Sequence, residues 1–323
     1  MTPLMLGVVG CGAIATKAHI PAFKELGNVV LRAAVDVRQD LLRDVQGKFK
    51  FSSVATDYRE IADLVDAVVV STPNHTHYEI ARFFLDCGKH VLIEKPITTT
   101  YASTTELYET AEANGVKLMV GFSRRFSENI RLLREITDPF TPKTVFASLG
   151  GDIKNWPAVS SYRTSFSEAG GGCIIDQGIH LIDTAIWFFG TKPHLSEAKV
   201  TKIMGGEVED NAFIRLTFED GEAIFSCSST FGLDSELKVE YDCGWAKTDL
   251  NNLRTPVTYL DERSLLCRAT GRLELTTGGT DNYLNQARHF VECVRDGTDC
   301  EVSKKEVMWG MEVLDEIYRG YGR

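Results

Sequence analysis

The sequence contains no long hydrophobic run and is short of basic residues. No uninterrupted apolar stretch approaches the ~20 residues that a membrane-spanning helix needs, and the first residues show neither the basic nor the apolar segment of a secretory leader. Lys and Arg together number 35 against 45 for Asp and Glu, which gives a net charge of −10. Because this charge repels a phosphate backbone, nucleic acid is not expected as a partner. We therefore expect a soluble, cytoplasmic protein.

Closely spaced cysteines are also missing. The eight cysteines are spread along 323 residues, and no two of them form a Cys-x-x-Cys pair. Free thiols are therefore expected rather than disulfides, and a structural zinc site lacks its usual ligand spacing. His75 with His77, or Asp176 with His180, could bind a catalytic metal, but neither pair has a third ligand at a usual spacing. We predict no metal.

The first third of the chain alternates short apolar runs with helical stretches. This alternation predicts parallel strands joined by crossover helices, that is, a doubly wound α/β sheet. The first helix, residues 13–26, is expected to bend or break near Pro21. The predicted strands are 4–9, 29–35, 52–55, 67–72, 90–94 and 116–122.

After Phe122 the pattern changes to strands in which polar and apolar residues alternate. The strands are predicted at 145–149, 197–204, 211–218, 222–229, 237–241 and 272–276. They predict a mostly antiparallel sheet in a C-terminal α/β domain. One long apolar helix, residues 173–189, lies among them, and two amphipathic helices follow at 283–295 and 304–318. A length of 323 residues suits two domains, and we predict them at 1–122 and 123–323.

A glycine-rich segment follows the first predicted strand and opens the first helix. It reads Gly10-Cys11-Gly12-Ala13-Ile14-Ala15, a dinucleotide-binding pattern with alanine at the third position. Gly10 allows a tight turn, Gly12 leaves room for a pyrophosphate, and Ala15 is small enough for close packing of helix on strand. The start of the helix, at Ala13 and Ile14, offers free amides to the phosphates. We predict a dinucleotide site here.

An acidic residue stands at the end of the second predicted strand. Asp36 lies 21 residues beyond Ala15 (36 − 15), where a carboxylate can accept hydrogen bonds from the adenosine ribose hydroxyls and repels a 2′-phosphate. Arg38, two positions further on, could still reach such a phosphate. We therefore predict NAD as the cofactor, with NADP as the less favoured alternative; a plain turn-forming role for Asp36 remains open.

Two further segments follow the fourth and fifth predicted strands. In an open parallel sheet, ligands bind at the carboxyl ends of the strands near the point where the strand order reverses. Thr72-Pro73-Asn74 is expected beside the nicotinamide half of the cofactor, and Glu94-Lys95-Pro96 puts Lys95 where hydride is transferred. An ordinary loop with a solvated lysine is the alternative.

The long apolar helix carries three polar residues at helical spacing. Asp176, His180 and Asp183 are four and three positions apart, so a helix places them on one face. Burying a carboxylate and an imidazole is costly unless they are paired or serve a pocket. Three glycines at 170–172 favour close approach of a ligand or of another backbone. We interpret the stripe as part of a site, with a satisfied core histidine as the alternative.

Taken together, these segments resemble the Gfo/Idh/MocA family of oxidoreductases, named for glucose-fructose oxidoreductase, inositol dehydrogenase and a rhizopine-catabolism protein. Residues 120–126 also look like the segment that enters the family's second domain. The family implies a Rossmann nucleotide-binding domain followed by an α/β domain whose large open sheet commonly forms the subunit interface. The resemblance covers essentially the full length and rests on the glycine-rich segment, on Thr72-Pro73-Asn74 with His77, on Glu94-Lys95-Pro96, and on Gly171-Gly172 followed by Asp176, Gly178 and His180.

Carried over residue by residue, the resemblance implies a division of roles. Lys95 is the active-site lysine, Asp176 a substrate binder and His180 the acid or base, although Lys95 could also move the proton. The residues expected to bind the cofactor are Gly10, Gly12, Ala13, Ile14, Asp36, Arg38, Thr72, Pro73, Asn74, His77, Glu94 and Lys95. Those expected to bind the substrate are Lys95, Arg124, Tyr162, Arg163, Asp176 and His180, with Arg125 as a further pocket candidate.

The activity implied is that of an NAD-dependent dehydrogenase or reductase acting on a secondary alcohol or ketone of a sugar, amino sugar or cyclitol. The alternatives are a non-sugar substrate, such as a dihydrodiol or an imine, and a regulatory protein that binds NAD without turnover. Intact Lys95, Asp176 and His180 speak against the regulator. The expected partners are a small polyhydroxylated substrate and further copies of this chain, as a homodimer or homotetramer through the C-terminal sheet.

Overall fold

The structure is a computed structural model that describes residues 2–151, 164–252 and 254–322. It divides into two compact units. The first comprises Met1–Ser123 together with Tyr283–Lys304, and the second comprises Arg124–Asn282 together with Lys305–Arg323. The division after Ser123 is close to the one expected from the sequence, but the segment 283–304 returns to the first unit.

Strands and helices are numbered along the chain. The strands are β1 (Leu4–Val9), β2 (Val29–Val35), β3 (Ser53–Ala55), β4 (Ala67–Val70), β5 (His90–Ile93), β6 (Leu118–Val120), β7 (Thr144–Gly150), β8 (His194–Thr201), β9 (Asn211–Thr217), β10 (Glu222–Ser228), β11 (Glu236–Tyr241), β12 (Gly244–Asp249), β13 (Val257–Asp261) and β14 (Leu273–Leu275). The α-helices are α1 (Ile20–Glu25), α2 (Gln39–Phe49), α3 (His77–Asp86), α4 (Tyr101–Ala113), α5 (Glu128–Thr137), α6 (Phe166–Ala169), α7 (Ile179–Phe189), α8 (Leu265–Thr270), α9 (Asn282–Asp296) and α10 (Lys304–Gly320). Wider π-helical turns occur at Ala15–His19 and Ile174–Gly178, and 3₁₀ turns at Tyr58–Leu64, Asn74–Thr76 and Ser123–Phe126.

The first sheet is parallel throughout and has the strand order β3-β2-β1-β4-β5-β6. Every residue of β4 is buried, as expected for a parallel strand covered on both faces. The strand order reverses between β1 and β4, so the carboxyl ends of β1, β4 and β5 lie side by side. The predicted doubly wound sheet is confirmed, and several of the predicted cofactor-binding segments follow these three strands.

The first helical run does not break at Pro21, contrary to expectation. The chain stays helical from the π-helical turn Ala15–His19 into α1. Pro21 lies in the first turn of α1, where a missing backbone N–H is tolerated. The irregularity is instead the wide turn before it, and His19, the last residue of that turn, is buried.

The second sheet has the order β14-β13-β12-β11-β7-β10-β9-β8 within the described residues. Its neighbouring strands are antiparallel except for β7 and β10, which are parallel. Along β7, β9, β10 and β11 buried residues alternate with partly exposed ones, so one face of the sheet is covered and the other is accessible. The predicted mostly antiparallel sheet is confirmed.

Helix α9 belongs to the first unit although it follows the whole second sheet along the chain. Its buried face includes Leu284, Ala287 and Phe290. The ring of Phe290 stands edge-on to that of Phe23 in α1, with 6.4 Å between their centroids. Because this amphipathic helix buries its apolar face in the first unit, the second unit is not the continuous stretch 123–323 expected from the sequence.

All eight cysteines are free thiols. The Sγ atoms of Cys173 and Cys227 are 3.6 Å apart, and the neighbouring thiol together with burial raises the pKa of Cys173. Such a thiol stays protonated and unreactive. Among the residues the structure describes, no group of three or more His, Cys, Asp or Glu side chains could hold a metal ion. In the same residues, no helix is long and apolar enough to cross a membrane.

Candidate active site

The glycine-rich segment makes the tight turn that a dinucleotide site requires. Gly10 follows β1 with a φ of 91°, a left-handed conformation that favours glycine, and a Cβ there would lie 2.6 Å from the carbonyl oxygen of Ser71. A Cβ on Gly12 would meet no atom of the described residues within 4 Å. Ala15 is fully buried, as expected for close packing of helix on strand. The space at Gly12 therefore fits the pyrophosphate of NAD beside the start of the helical run.

Asp36 is oriented by the backbone at the end of β2. Its Oδ2 accepts the N–H of Cys11 and its Oδ1 accepts the N–H of Arg38, both at 2.8 Å. Each carboxylate oxygen has further lone pairs for ribose hydroxyls. The exposed guanidinium of Arg38 is paired with Asp40, with Nε 3.2 Å from Oδ1. An oriented carboxylate and an arginine already engaged by an acid both favour NAD over NADP.

His77 joins the segments that follow β4 and β5. Its ring is fully buried, with Nδ1 2.8 Å from the carbonyl oxygen of Pro96 and Nε2 2.9 Å from that of Thr72. Burial lowers the pKa of the His77 imidazole, and the two carbonyl oxygens offset only part of that effect. His77 is predicted from the sequence to bind the cofactor, but both nitrogens of its fully buried ring lie against backbone carbonyl oxygens of the segments that follow β4 and β5.

Glu94 forms a buried pair with a histidine that the sequence analysis missed. Glu94 is 9% exposed and His19 is 2% exposed, and His19 Nε2 lies 2.7 Å from Glu94 Oε1. Burial alone would raise the pKa of this carboxyl, but the hydrogen bond and charge of His19 and the charge of Lys95 outweigh it and lower the pKa. Glu94 is therefore an ionised internal group. Its second oxygen, Oε2, accepts the N–H of Lys95 at 3.2 Å.

The glycines at 170–172 make room for a second chain segment rather than for a ligand. A Cβ on Gly172 would lie 1.8 Å from the carbonyl oxygen of Glu209. The Glu209 side chain accepts the N–H groups of Gly172 and Ile174 at 2.8 and 3.1 Å and the hydroxyl of Tyr318 at 2.8 Å, all on Oε1. Of the two alternatives left open by the sequence, close approach of another backbone is the one observed. Glu209 thus fixes the start of the run that carries Asp176.

The polar stripe of the long apolar helix is divided between two uses. Asp183 is 4% exposed and accepts two hydrogen bonds from Arg125, at 2.9 Å from Nε and 2.6 Å from Nη2. Arg125 also donates to Glu306 at 3.0 Å. Asp183 is therefore part of an internal ion cluster. Asp176, partly exposed in the π-helical turn, and His180, 9% exposed one turn further on, remain as site candidates.

Of the remaining predicted substrate contacts, the structure describes some and not others. Arg124 lies in the 3₁₀ turn Ser123–Phe126 and its Nη2 donates to Asn251 Oδ1 at 2.8 Å. Tyr162 and Arg163 lie outside the described residues. Lys95 is partly exposed after β5 in the first unit, whereas Asp176 and His180 belong to the second unit.

Comparison with known families identifies the family of this chain. A model described as an oxidoreductase family with an NAD-binding Rossmann fold matches residues 4–122, and a model of the Gfo/Idh/MocA C-terminal domain matches residues 144–246. The chain belongs to the Gfo/Idh/MocA family. The predicted family, the NAD cofactor and the activity of an NAD-dependent dehydrogenase or reductase are thereby confirmed.

Similar proteins cover nearly the whole chain. Myo-inositol 2-dehydrogenase of Thermotoga maritima is 27% identical over 315 residues, which is 94% of this chain and 92% of that protein. Inositol 2-dehydrogenase of Rhizobium meliloti is 25% identical over 322 residues, 97% of this chain and 95% of that protein. Both of these relatives are named as dehydrogenases of a cyclitol.

Solved structures agree on the fold. Levoglucosan dehydrogenase in complex with NADH and levoglucosan has a TM-score of 0.88 at 19% identity, covering 98% of this chain and 97% of that one. GenD2 from gentamicin A biosynthesis, in complex with NAD, has a TM-score of 0.86 at 24% identity, covering 100% and 96%. At these identities the likeness is one of fold, in which both units are matched.

Proposed function

We propose that this protein transfers hydride between NAD and a secondary alcohol or ketone carbon of a sugar, amino sugar or cyclitol. The observation that carries the proposal is the divided polar stripe of the second unit. Arg125 neutralises Asp183 inside the fold, whereas Asp176 and His180 place a carboxylate and an imidazole near the glycine-rich start of an apolar helix. In a chain of an NAD-binding oxidoreductase family, this pair suits a substrate with several hydroxyl groups.

The names of similar proteins support this substrate class. They include dehydrogenases of myo-inositol, of D-glucosides in Escherichia coli and of levoglucosan in Pseudarthrobacter phenanthrenivorans. All three substrates are polyhydroxylated rings. We extend that chemistry to this chain without choosing among them.

The side chains of this protein would bind the substrate and move a proton. Nicotinamide, when bound, carries the hydride. Oxidation of an alcohol also releases the hydroxyl proton, which needs an acceptor that titrates near neutral pH. We assign this step to His180, because an imidazole suits it, with Lys95 as the alternative. Asp176 and Lys95 would bind substrate hydroxyls, and Arg124, Tyr162 and Arg163 are proposed as further substrate contacts.

We also propose that copies of this chain associate through the accessible face of the second sheet. Support comes from its composition: an apolar patch of partly exposed side chains lies next to a lysine. The Nζ of Lys238 stands 5.9 Å from the ring centre of Phe146 and 5.6 Å from that of Trp245. This outer face is defined by Phe146, Phe213, Ile224, Lys238 and Trp245.

A substrate screen tests the proposed activity directly. Sugars, amino sugars and inositols would be incubated with NAD and with NADP, and turnover followed through the absorbance of the reduced nicotinamide. We expect turnover of at least one polyhydroxylated substrate, faster with NAD. Turnover confined to a dihydrodiol or an imine would contradict the proposed substrate class. NAD binding without turnover of any of these compounds would contradict the proposal that the protein is an enzyme.

Two variants should separate chemistry from cofactor binding. His180→Ala should slow hydride transfer by ~10²- to 10⁴-fold, because it removes a group that moves the proton, and should leave NAD affinity unchanged. Asp36→Ala should raise the Kd for NAD by ~10- to 100-fold through loss of hydrogen bonds to a charged group. Stopped-flow rates and calorimetric Kd values measure the two effects. The exposed His194→Ala and Asp44→Ala are matched controls, and equal losses of rate and affinity in both test variants would contradict the division.

A further inference from the structure

The turn that carries Lys95 is held on both sides by buried histidines. Glu94 precedes the lysine and is hydrogen-bonded to His19, and Pro96 follows it and is hydrogen-bonded to His77. We propose that His19 and His77 are positioning residues: they fix the backbone of Lys95, and hydride transfer depends on them through that lysine. This inference rests on the role of Lys95 in the proposed function.

His19 reaches the turn from the first helical run. Its Nε2 contacts Oε1 of Glu94, and both side chains are buried. The ring of Tyr283 stands edge-on to the imidazole with 5.3 Å between centroids, and a Cβ on Gly121 would come within 3.3 Å of Glu94 Oε1. The other carboxylate oxygen accepts the N–H of Lys95. The imidazole therefore fixes the carboxylate, and the carboxylate fixes the peptide N–H of the lysine.

His77 reaches the turn from the start of α3. Its Nδ1 contacts the carbonyl oxygen of Pro96, directly after the lysine, and its Nε2 contacts the carbonyl oxygen of Thr72 after β4. A neutral imidazole carries one N–H, and the tautomer with that proton on Nδ1 donates to Pro96 and ties the turn of Lys95 to the start of α3. Since ligands of a doubly wound sheet bind at these strand ends, the tie fixes Lys95 relative to the cofactor site.

Stability alone does not require imidazoles at these positions. A buried polar pair can be replaced by well-packed apolar residues with little or no loss of stability. Both hydrogen bonds instead end on the residues that flank Lys95. A reacting group displaced by ~1 Å can lose a factor of about 100 in rate. Two anchors, one on each neighbour of the lysine, are a means of preventing such a displacement.

His19 contacts the turn through Nε2 and His77 through Nδ1. The rates of the Asn and Gln variants should therefore rank in opposite order at the two positions. The amide nitrogen of Gln lies where Nε2 lies in His, and that of Asn lies where Nδ1 lies. His19 binds through Nε2, so His19→Gln should retain the rate and His19→Asn should slow hydride transfer by ~10- to 100-fold. His77 contacts Pro96 through Nδ1, so His77→Asn should retain the rate. His77→Gln cannot make that contact and should lose a similar factor.

The same four variants are then made in a Lys95→Ala background. Because the proposed effect passes through the lysine, the variants should cause no further loss of rate there. His90→Asn is the matched control, since His90 lies at the opposite end of β5 and its Nδ1 accepts the N–H of Lys117. It should leave the rate unchanged in both backgrounds.

Readouts other than activity complete the test. Hydrogen exchange followed by mass spectrometry should show faster exchange of the Lys95 amide, which donates to Glu94, in His19→Asn and His77→Gln, while calorimetric NAD affinity is retained. Equal losses from Asn and Gln at each position, or losses that persist in full without Lys95, would overturn the inference. A Lys95→Ala enzyme with an undiminished rate would instead overturn the proposed role of Lys95, and this inference with it.

Discussion

Asp36 and Glu94 both follow a strand of the parallel sheet, yet their surroundings differ. Asp36 is partly exposed and is oriented by two backbone N–H groups, so it keeps lone pairs for a ribose. Glu94 is buried, and its oxygens accept from His19 and from the N–H of Lys95. We therefore infer that Asp36 contacts the cofactor and that Glu94 supports the lysine from inside.

Acid should weaken the folded state through His77. Burial lowers the pKa of this imidazole below its usual 6.5, so below that pH the unfolded chain takes up a proton that the folded chain does not. The free energy of unfolding therefore falls as the pH drops from 6.5 towards the lowered pKa, by up to about 1.4 kcal/mol per pH unit for one group. His77→Asn should show a flatter dependence. Urea unfolding at a series of pH values measures the slopes.

The pKa shifts of His90 and Glu94 also affect how stability depends on pH, so they define the controls. Burial also lowers the pKa of the half-buried His90, so part of the slope should persist in His77→Asn and decrease further in a variant that also carries His90→Asn. The pKa of Glu94 is lowered from 4.5, so its contribution is complete above 4.5 and is lost only in more acidic solution. Parallel curves for wild type and His77→Asn between about pH 6.5 and pH 5 would refute the assignment.

The residues that the sequence failed to reveal are those whose roles depend on distant partners. Asp36, Lys95 and the glycines stand in recognisable local patterns, so their places could be predicted. His19 lies 75 positions from Glu94, and Glu209 lies 37 positions from Gly172. The only local signal was a histidine four positions after buried Ala15, on a helix face that enters the core.

At the level of elements, each unit has a π-helical turn after its glycine-rich segment. The turn Ala15–His19 ends at the histidine that binds Glu94, and the turn Ile174–Gly178 contains Asp176. Such turns are rare in proteins overall, and those that do occur are often found at functional sites. Sequence spacing assumes the ordinary 3.6 residues per turn, so it predicts a helix at both places and gives no sign of the wider turn.

The ion cluster that joins α7 and α10 to the 3₁₀ turn Ser123–Phe126 should be essential for the second unit. Burial alone would lower the pKa of Arg125, but Asp183 and Glu306 outweigh it and raise the pKa. Arg125→Met would leave the Asp183 carboxylate buried without its guanidinium. We expect a loss of about 3–5 kcal/mol in the free energy of unfolding, measured by urea denaturation.

The control for Arg125 is an ion pair of the same unit at the surface. Lys192 and Glu312 are 2.8 Å apart with both side chains more than 40% exposed. Lys192→Met should change the free energy of unfolding by less than about 1 kcal/mol. Similar losses in the two variants would contradict the structural role given to the buried cluster.

Strands β12 and β13 were not predicted, and the reason is visible in their side chains. The buried positions of β12 are Ala246 and Thr248, so the hydrophobic alternation that marks other strands is weak there. The hydroxyl of Thr248 is satisfied by the amide of Asn129 in α5 at 3.0 Å. Thr248 is a polar residue at a buried position, and its hydrogen-bond partner lies 119 positions away. Such a residue does not add to the hydrophobic alternation from which a strand is predicted.

At the scale of the whole chain, the order of the segments hides which unit they join. The amphipathic pattern predicts α9 as a helix with one buried face, but that pattern is the same whichever sheet covers it. The contacts of Phe290 with Phe23 and of Arg295 with the carbonyl oxygen of Asn28 assign it to the first unit. A linear division into two domains therefore reproduces the sheets and misplaces this helix.

Association of whole chains should depend on the outer face of the second sheet. Ile224 is paired with Phe146 on the neighbouring strand, and both are partly exposed. Ile224→Glu puts a charge into this patch, which costs little in a monomer but would bury an unpaired carboxylate between two copies. We expect the wild-type chain to elute as a dimer or larger assembly and Ile224→Glu to dissociate to monomers, as measured by size-exclusion chromatography with light scattering. Leu265→Glu, at a side chain 77% exposed on α8, is the control and should keep the wild-type mass; a monomeric wild type, or dissociation by Leu265→Glu alone, would contradict the proposed interface.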